Sequence, residues 1–274
     1  MKGKNLAAIM ASFVMAATLA GCANSSASND KDENFSASEE MPSVPPSEDI
    51  PVVGLPEEEA PKEEKTAYIK VTGDGVNIRT GAGSGYKAVG TAEKSTMYTL
   101  LGEENGWYRT RYRNKTVYIS KKYCVVTQMN SSKNESIEAV IAEGTNHLGT
   151  PYVYGAVRLH DGSGRFLSGF SINAFDCSSL MQYMFYKGAD TLLQVNTRTQ
   201  VYQGKTVGKA DLKRGDLMFF TNAARKNNKG VERIGHVAMY LGDNWILHTA
   251  SDYAKIEQIS PTRWSYFIQA QRMF

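Results

Sequence analysis

The sequence predicts an α+β protein, a small all-β barrel followed by a larger domain in which a helix packs on an antiparallel sheet. Three observations carry that reading. Residues 66–127 hold short strand-like runs, AYIKV, VNIRT, MYTLL, WYRTRY and TVYIS, broken by glycine-bearing turns at DG, GAGSG and NG. FDCSSL, residues 175–180, opens a run whose apolar residues recur at helical spacing. GHVAMYLGDNWILHTAS then reads as strand, turn and strand.

The chain begins before either domain. Residues 1–21 place two lysines ahead of an apolar run from Leu6 to Ala20, the layout of a signal peptide, too short and wrongly flanked for a spanning helix of about 20 residues. The run ends in Leu19-Ala20-Gly21-Cys22, which resembles the lipobox of bacterial lipoproteins, where Cys22 would carry a lipid and become the first residue. The alternative is an ordinary secretory signal with a chance cysteine. Residues 22–65 turn to Ser, Pro, Asn and acid, and from Ala23 to Lys65 there are 12 acidic residues against three lysines. Such a composition cannot bury a core, and as a flexible coil it would reach roughly 35 Å. This stretch is expected to be a disordered acidic tether.

The formal net charge of +3 therefore hides an asymmetry, since the tether is strongly negative and residues 66–274 are basic by +10. A basic exported surface suits an anionic polymer such as bacterial cell wall, and nucleic acid is not expected outside the cell. Within residues 66–127 ten basic side chains face four acidic ones. That segment, through VNIRTGAGSGYKAVGT, ENGWYRTRY and TVYISKKYC, resembles a bacterial SH3-like domain. The resemblance implies either peptidoglycan binding or a pedestal beside a catalytic domain, and both stay open here.

A polar stretch from Gln128 to Glu135 leads to a helix, IEAVIAEGTNHL, then GTPYVYGA and a Gly-rich irregular stretch at 157–174. In FDCSSL, Asp176 is a good N-cap, and Leu180, Tyr183, Met184 and Lys187 continue a helix with one apolar face, stopping near Gly188. Cys177 then sits in the first turn. Unpaired amides and the helix dipole there favour a thiolate, the nucleophilic form. The plainer reading is a buried structural cysteine. Of the remaining cysteines, Cys22 is assigned to the lipid and Cys124, within KKYCVV, is expected in a strand core, so a disulfide is not expected.

A nucleophilic thiol needs a base, and the chain has four histidines: His147, His160, His236 and His248. Two share the hairpin. With a three-residue loop at Gly242-Asp243-Asn244, Leu241 faces Trp245 and Ala238 faces His248, so His236 and His248 lie diagonally on one face. A two-residue turn would separate them unless a bulge compensates. Cysteine, histidine and a third polar group that orients the imidazole form a papain-like arrangement. The expected roles are Cys177 as nucleophile, His236 as general base and then acid, and His248 as orienter. His147 and His160 are expected to be noncatalytic. No metal or other cofactor is expected, since no pair of histidines has short ligand spacing.

Residues 137–274 resemble the NlpC-type family of papain-like cell-wall cysteine peptidases, through LGTPYVYGA, FDCSSL, TRTQVYQGKTV, LKRGDLMFF, GHVAMYLG and ILHTAS in that order. The resemblance implies hydrolysis of the γ-D-glutamyl to diamino-acid bond of peptidoglycan stem peptides through a thioester on Cys177. It also implies that Tyr152 holds substrate or the developing oxyanion beside the Cys177 amide, and it leaves Asp176 within reach of substrate. Expected partners are the stem peptides and, through Cys22, a membrane facing the wall; a monomer is expected. Where the family usually carries two glycines and DCSG, this chain has Gly155-Ala156 and DCSS, and the 157–174 stretch is longer than the family's connection. These departures border the expected cleft and bear on which stem peptide is accepted. Two other readings remain: a noncatalytic wall-binding lipoprotein, and an amidase or acyltransferase on the same scaffold.

Overall fold

The computed structural model describes residues 63–274, so the signal segment, Cys22 and all but the last residues of the tether lie outside the described residues. The first strands are β1 (Lys65–Val71), β2 (Val76–Arg79), β3 (Ala88–Ala92), β4 (Met97–Thr99), β5 (Gly102–Glu104), β6 (Trp107–Tyr112), β7 (Lys115–Ser120) and β8 (Cys124–Asn130). Alternation puts Tyr108, Thr110 and Tyr112 of β6 inward against Val117 and Ile119 of β7. Cys124 is a free, buried thiol at the start of β8, as a core residue should be. That strand runs on to Asn130, so the first three residues of the stretch read as polar linker are sheet.

After α1 (Glu135–Asn146) and α2 (Cys177–Ala189) come α3 (Thr197–Gln200), β9 (Lys205–Val207), β10 (Leu217–Phe220), β11 (His236–Gly242), β12 (Trp245–Ala250), β13 (Tyr253–Gln258), α4 (Pro261–Ser265) and β14 (Phe267–Arg272). Two sheets result. One has five strands in the order β3-β2-β7-β6-β5; the other has nine, β8-β1-β4-β13-β12-β11-β10-β14-β9. Met97 of β4 pairs with Ile256 of β13, so three strands of the amino-terminal barrel extend the sheet of the second domain. Packing reinforces the join: Arg214 is buried, paired with Glu138 at 2.7 Å and bonded to the Tyr68 hydroxyl at 2.9 Å.

The central strands are buried on both faces. Leu217, Phe219, Val237, Met239 and Leu247 join the core beneath α2, whereas Met218, Phe220, Ala238 and Ile246 join a second cluster on the opposite face. For the same reason α2 has no single apolar face: every residue from Cys177 to Phe185 is buried. The helix stops near Gly188 as expected, ending at Ala189 and capped by Asp190 with φ of 48°, and Gly188 is also where α1 crosses. A Cβ at Gly188 would lie 2.6 Å from the backbone N and Cα of Val140. Although alanine ordinarily favours a helix by about 1 kcal/mol over glycine, Gly188→Ala is expected to destabilise by ~2 kcal/mol through forced separation of the helices. A lowered urea midpoint checks this; an unchanged one would contradict it.

Candidate active site

Helix α2 starts where it does because Asp176 caps it. The Asp176 carboxylate accepts from Ser179 N at 2.8 Å, and the Ser179 hydroxyl accepts in return from Asp176 N at 2.9 Å. Cys177 is thus the first helical residue, and its amide has no carbonyl one turn earlier to bond. The amides of Ser178 and Val237 are close enough to the sulfur to pull its pKa down. Val237 adjoins His236, so the strand start and the helix start meet at the thiol.

Hairpin β11–β12 pairs Met239 with Leu247 and Tyr240 with Ile246, then Gly242 with Trp245. Asp243 and Asn244, with φ of 48° and 66°, make a two-residue turn of the primed type. Leu241 is the extra residue. The expected three-residue loop is therefore a two-residue turn plus a bulge, and the register beyond it still sets Ala238 opposite His248. The consequence is direct contact: His236 Nε2 and His248 Nδ1 are 2.9 Å apart.

Two residues missed in the sequence complete this chain. Glu257 Oε1 lies 3.0 Å from His248 Nε2, and Arg263 holds the same oxygen at 3.1 Å. Burial works against a charge on Glu257, but the His248 hydrogen bond and the charges of His248, Arg263 and Lys255 hold its pKa at about 2. A carboxylate can only accept, so His248 Nε2 carries hydrogen and its Nδ1 is the acceptor. His236 Nε2 must then donate, leaving His236 Nδ1 with a free lone pair. The sequence signal for Glu257 is its diagonal place from His248, which pairs with Lys255.

Burial, the nearby His248 and Arg263 lower the His236 pKa well below 6.5. Burial lowers His248 too, opposed by its bond to Glu257. The thiol departs from expectation. Burial, with Asp176 beside it, pushes Cys177 up to about 12, against the pull of the Val237 and Ser178 amides and Arg158. The helix start alone does not produce a resting thiolate, because Cys177 is buried.

Two cavities of about 370 and 360 Å³ share Tyr152, Asn222 and Gly235 in their walls and so form one groove. One half is bordered by His236, Phe220, Thr221 and Arg263, the other by Cys177, Asp176, Arg158, Arg198 and Arg225. Tyr152 stands at the junction. Burial and the charges of Cys177 and Asp176 raise its hydroxyl to about 12, so it is a neutral donor at the thiol. His147 and His160 border neither half. His147 caps α1 and packs edge-on against Phe175 and Tyr183, and His160 lies against Tyr186 in the long connection.

Residues 149–273 match the model of the NlpC/P60 family, and residues 74–124 match that of the bacterial SH3 domain. A gamma-D-glutamyl-L-lysine dipeptidyl-peptidase of Bacillus subtilis is 30% identical over 171 residues, 62% of this chain and 50% of that protein. Peptidoglycan endopeptidase RipB of Mycobacterium tuberculosis is 30% identical over 133 residues, 48% of this chain and 51% of that protein. The solved structure of RipB, 27% identical, aligns with a TM-score of 0.40 over 51% of this chain and 65% of that one. The chain spans about half the length of these curated relatives.

Proposed function

Because the chain carries an NlpC/P60 domain over residues 149–273 and a bacterial SH3 domain over residues 74–124, we propose that it is a cell-wall hydrolase, a cysteine endopeptidase that cleaves the γ-D-glutamyl to diamino-acid bond of peptidoglycan stem peptides. The observation that carries this reading is the relay from Glu257 through His248 to His236, beside a groove that opens on Cys177. Relatives named as a peptidoglycan endopeptidase and a γ-D-glutamyl-L-lysine dipeptidyl-peptidase support the substrate class.

In this mechanism His236 Nδ1 takes the thiol proton as sulfur attacks the γ-carbonyl. The Cys177 amide and the Tyr152 hydroxyl receive the developing oxyanion. His236 then gives its proton to the leaving amine, whose departure leaves a γ-glutamyl thioester on Cys177. Water attacks that thioester, losing its proton to His236, and the expelled Cys177 thiolate takes that proton back. His248 and Glu257 hold the tautomer throughout. In the same reading, residues 137–274 are the peptidase domain and 66–127 an SH3-like domain that holds wall or serves as pedestal. Cys22 would carry the lipid anchor after removal of residues 1–21, with residues 22–65 as tether.

Mass spectrometry of muropeptides digested by the protein tests the scissile bond. Products ending in a free γ-D-glutamyl carboxylate are expected; cleavage only at the lactyl amide, or transfer without hydrolysis, would favour an amidase or acyltransferase. For the anchor, Cys22→Ala is expected to move the protein from membrane to soluble fractions without altering turnover of soluble peptides. A variant that still pellets with membranes would sink that assignment.

The pH profile follows from the same groups. His236 must be neutral to accept a proton, and its pKa is lowered, so the working form persists as pH falls through 6.5. The acid limb of kcat/KM is therefore expected below pH 6.5. Since the thiol sits up at about 12, its iodoacetamide alkylation should be slow at neutral pH and climb into the alkaline range. An acid limb at or above 6.5, or alkylation that is fast and level through neutral pH, would contradict this resting state.

A further inference from the structure

The two halves of the groove differ in charge, and the chemistry assigns a direction to them. On the proposed reaction, on which this inference rests, His236 must reach the leaving amine. The half bordered by His236 therefore takes the diamino acid, and the half bordered by Cys177 takes the acyl side with its γ-D-glutamyl residue and the amino end of the stem. That second half is lined by three guanidinium groups, Arg158, Arg198 and Arg225, and by one carboxylate, Asp176.

Asp176 has nothing left to offer. Oδ1 accepts from Ser178 Oγ at 3.0 Å and Ser179 N at 2.8 Å; Oδ2 accepts from Gly155 N at 3.2 Å and Arg158 at 2.7 Å. A carboxylate has about four acceptor positions, and these four bonds fill them on a side chain that is only 6% exposed. Arg158 is equally committed, donating also to Ser178 Oγ at 3.0 Å, to Val195 O at 2.8 Å and to Ala156 O. Nearby Glu232 is bridged between Arg198 at 3.4 Å and Arg225 at 3.3 Å. Asp176, the carboxylate that lines this half, and Glu232 beside it are both paired with arginines.

A stem peptide can present its amino end as a free ammonium or as an amide, still acylated as in an intact wall strand. An ammonium brought here meets guanidinium charges, and the one carboxylate that lines this half has no acceptor position left for it, which costs it solvation and like-charge repulsion. An amide carries no charge to repel. We propose that this groove selects stems with an acylated amino end, and that Arg158 sets the selection by occupying Asp176. The arginine comes from the start of the long 157–174 connection, which gives that departure from the family pattern a part in specificity.

The test uses a pair of tripeptides, L-Ala-γ-D-Glu followed by lysine or diaminopimelate, with the amino terminus free or N-acetylated. Turnover is measured on the wild type, and binding on Cys177→Ala. The acetylated peptide is expected to be favoured by about tenfold or more, chiefly in KM. Arg158→Gln, which releases Asp176, should bring the free-amine peptide toward parity, and adding Asp176→Asn, a side chain that still caps the helix, should remove that gain; Arg158→Lys should keep the wild-type preference. Equal use of the two peptides by the wild type, or an unchanged ratio in a folded Arg158→Gln, overturns the inference and leaves the proposed reaction standing. If neither peptide is turned over by the wild type or bound by Cys177→Ala, the proposed reaction fails and this inference with it.

Discussion

Cys177→Ser is expected to lose turnover of wall and of stem peptides by roughly 10³-fold or more while keeping the fold. The thiol is a reactant in the proposed mechanism, and serine offers a far weaker nucleophile in nearly the same volume. Its position explains why the fold should survive. Cys177 is the first residue of α2, and the cap that fixes the helix start is made by Asp176 and Ser179. Cys124→Ala is the matching control, since that thiol is buried at the start of β8, pushed up to about 12 by burial, and borders neither half of the groove. It should leave kcat unchanged. Full activity in Cys177→Ser, or selective loss of kcat in a folded Cys124→Ala, would sink the assignment of the nucleophile.

The two histidines should separate by what replaces them. His236→Ala removes the group that moves the proton in both half-reactions and is expected to cost about 10²- to 10⁴-fold in kcat. His248 moves no proton to substrate; its Nδ1 accepts from His236 Nε2. Asparagine or glutamine offers a carbonyl oxygen for the same hydrogen bond, so His248→Asn and His248→Gln should stay within about tenfold of wild type, whereas His248→Ala should lose about 10- to 100-fold. Glu257 fixes which nitrogen of His248 carries hydrogen, and Glu257→Leu should behave like a milder His248→Ala. Steady-state kinetics on one tripeptide checks the series. A His248→Ala with wild-type kcat, or an essential His147 or His160, would refute the relay.

What the sequence made legible is whatever a local pattern controls. Alternation in WYRTRY and TVYIS, the cap at Asp176, and the helical period after it placed the barrel strands and the helix that carries Cys177. The hairpin register could be read because a face requirement joined His236 to His248, even though the bulge at Leu241 replaced a longer loop. Nonlocal features were not readable. No period announces that β4 will pair with β13, because that join depends on where two segments far apart in the chain dock. Arg158 lies in an irregular segment, so nothing local marks its reach back to Asp176. Thiolate stabilisation at the helix start was argued from α2 alone; the core that closes over the sulfur comes from other elements and has the opposite sign.

The most direct measurement of the central claim is the mass of the Cys177-bearing peptide recovered from enzyme quenched in acid during turnover of an L-alanyl-γ-D-glutamyl substrate. A thioester is stable in acid long enough to be digested and weighed. The account predicts an added mass equal to the acyl part of the substrate, confined to the peptide containing Cys177, removed by hydroxylamine as a γ-glutamyl hydroxamate, and absent in His236→Ala. Steady turnover with no adduct on Cys177 and no hydroxamate, or an adduct on any other side chain, would contradict it.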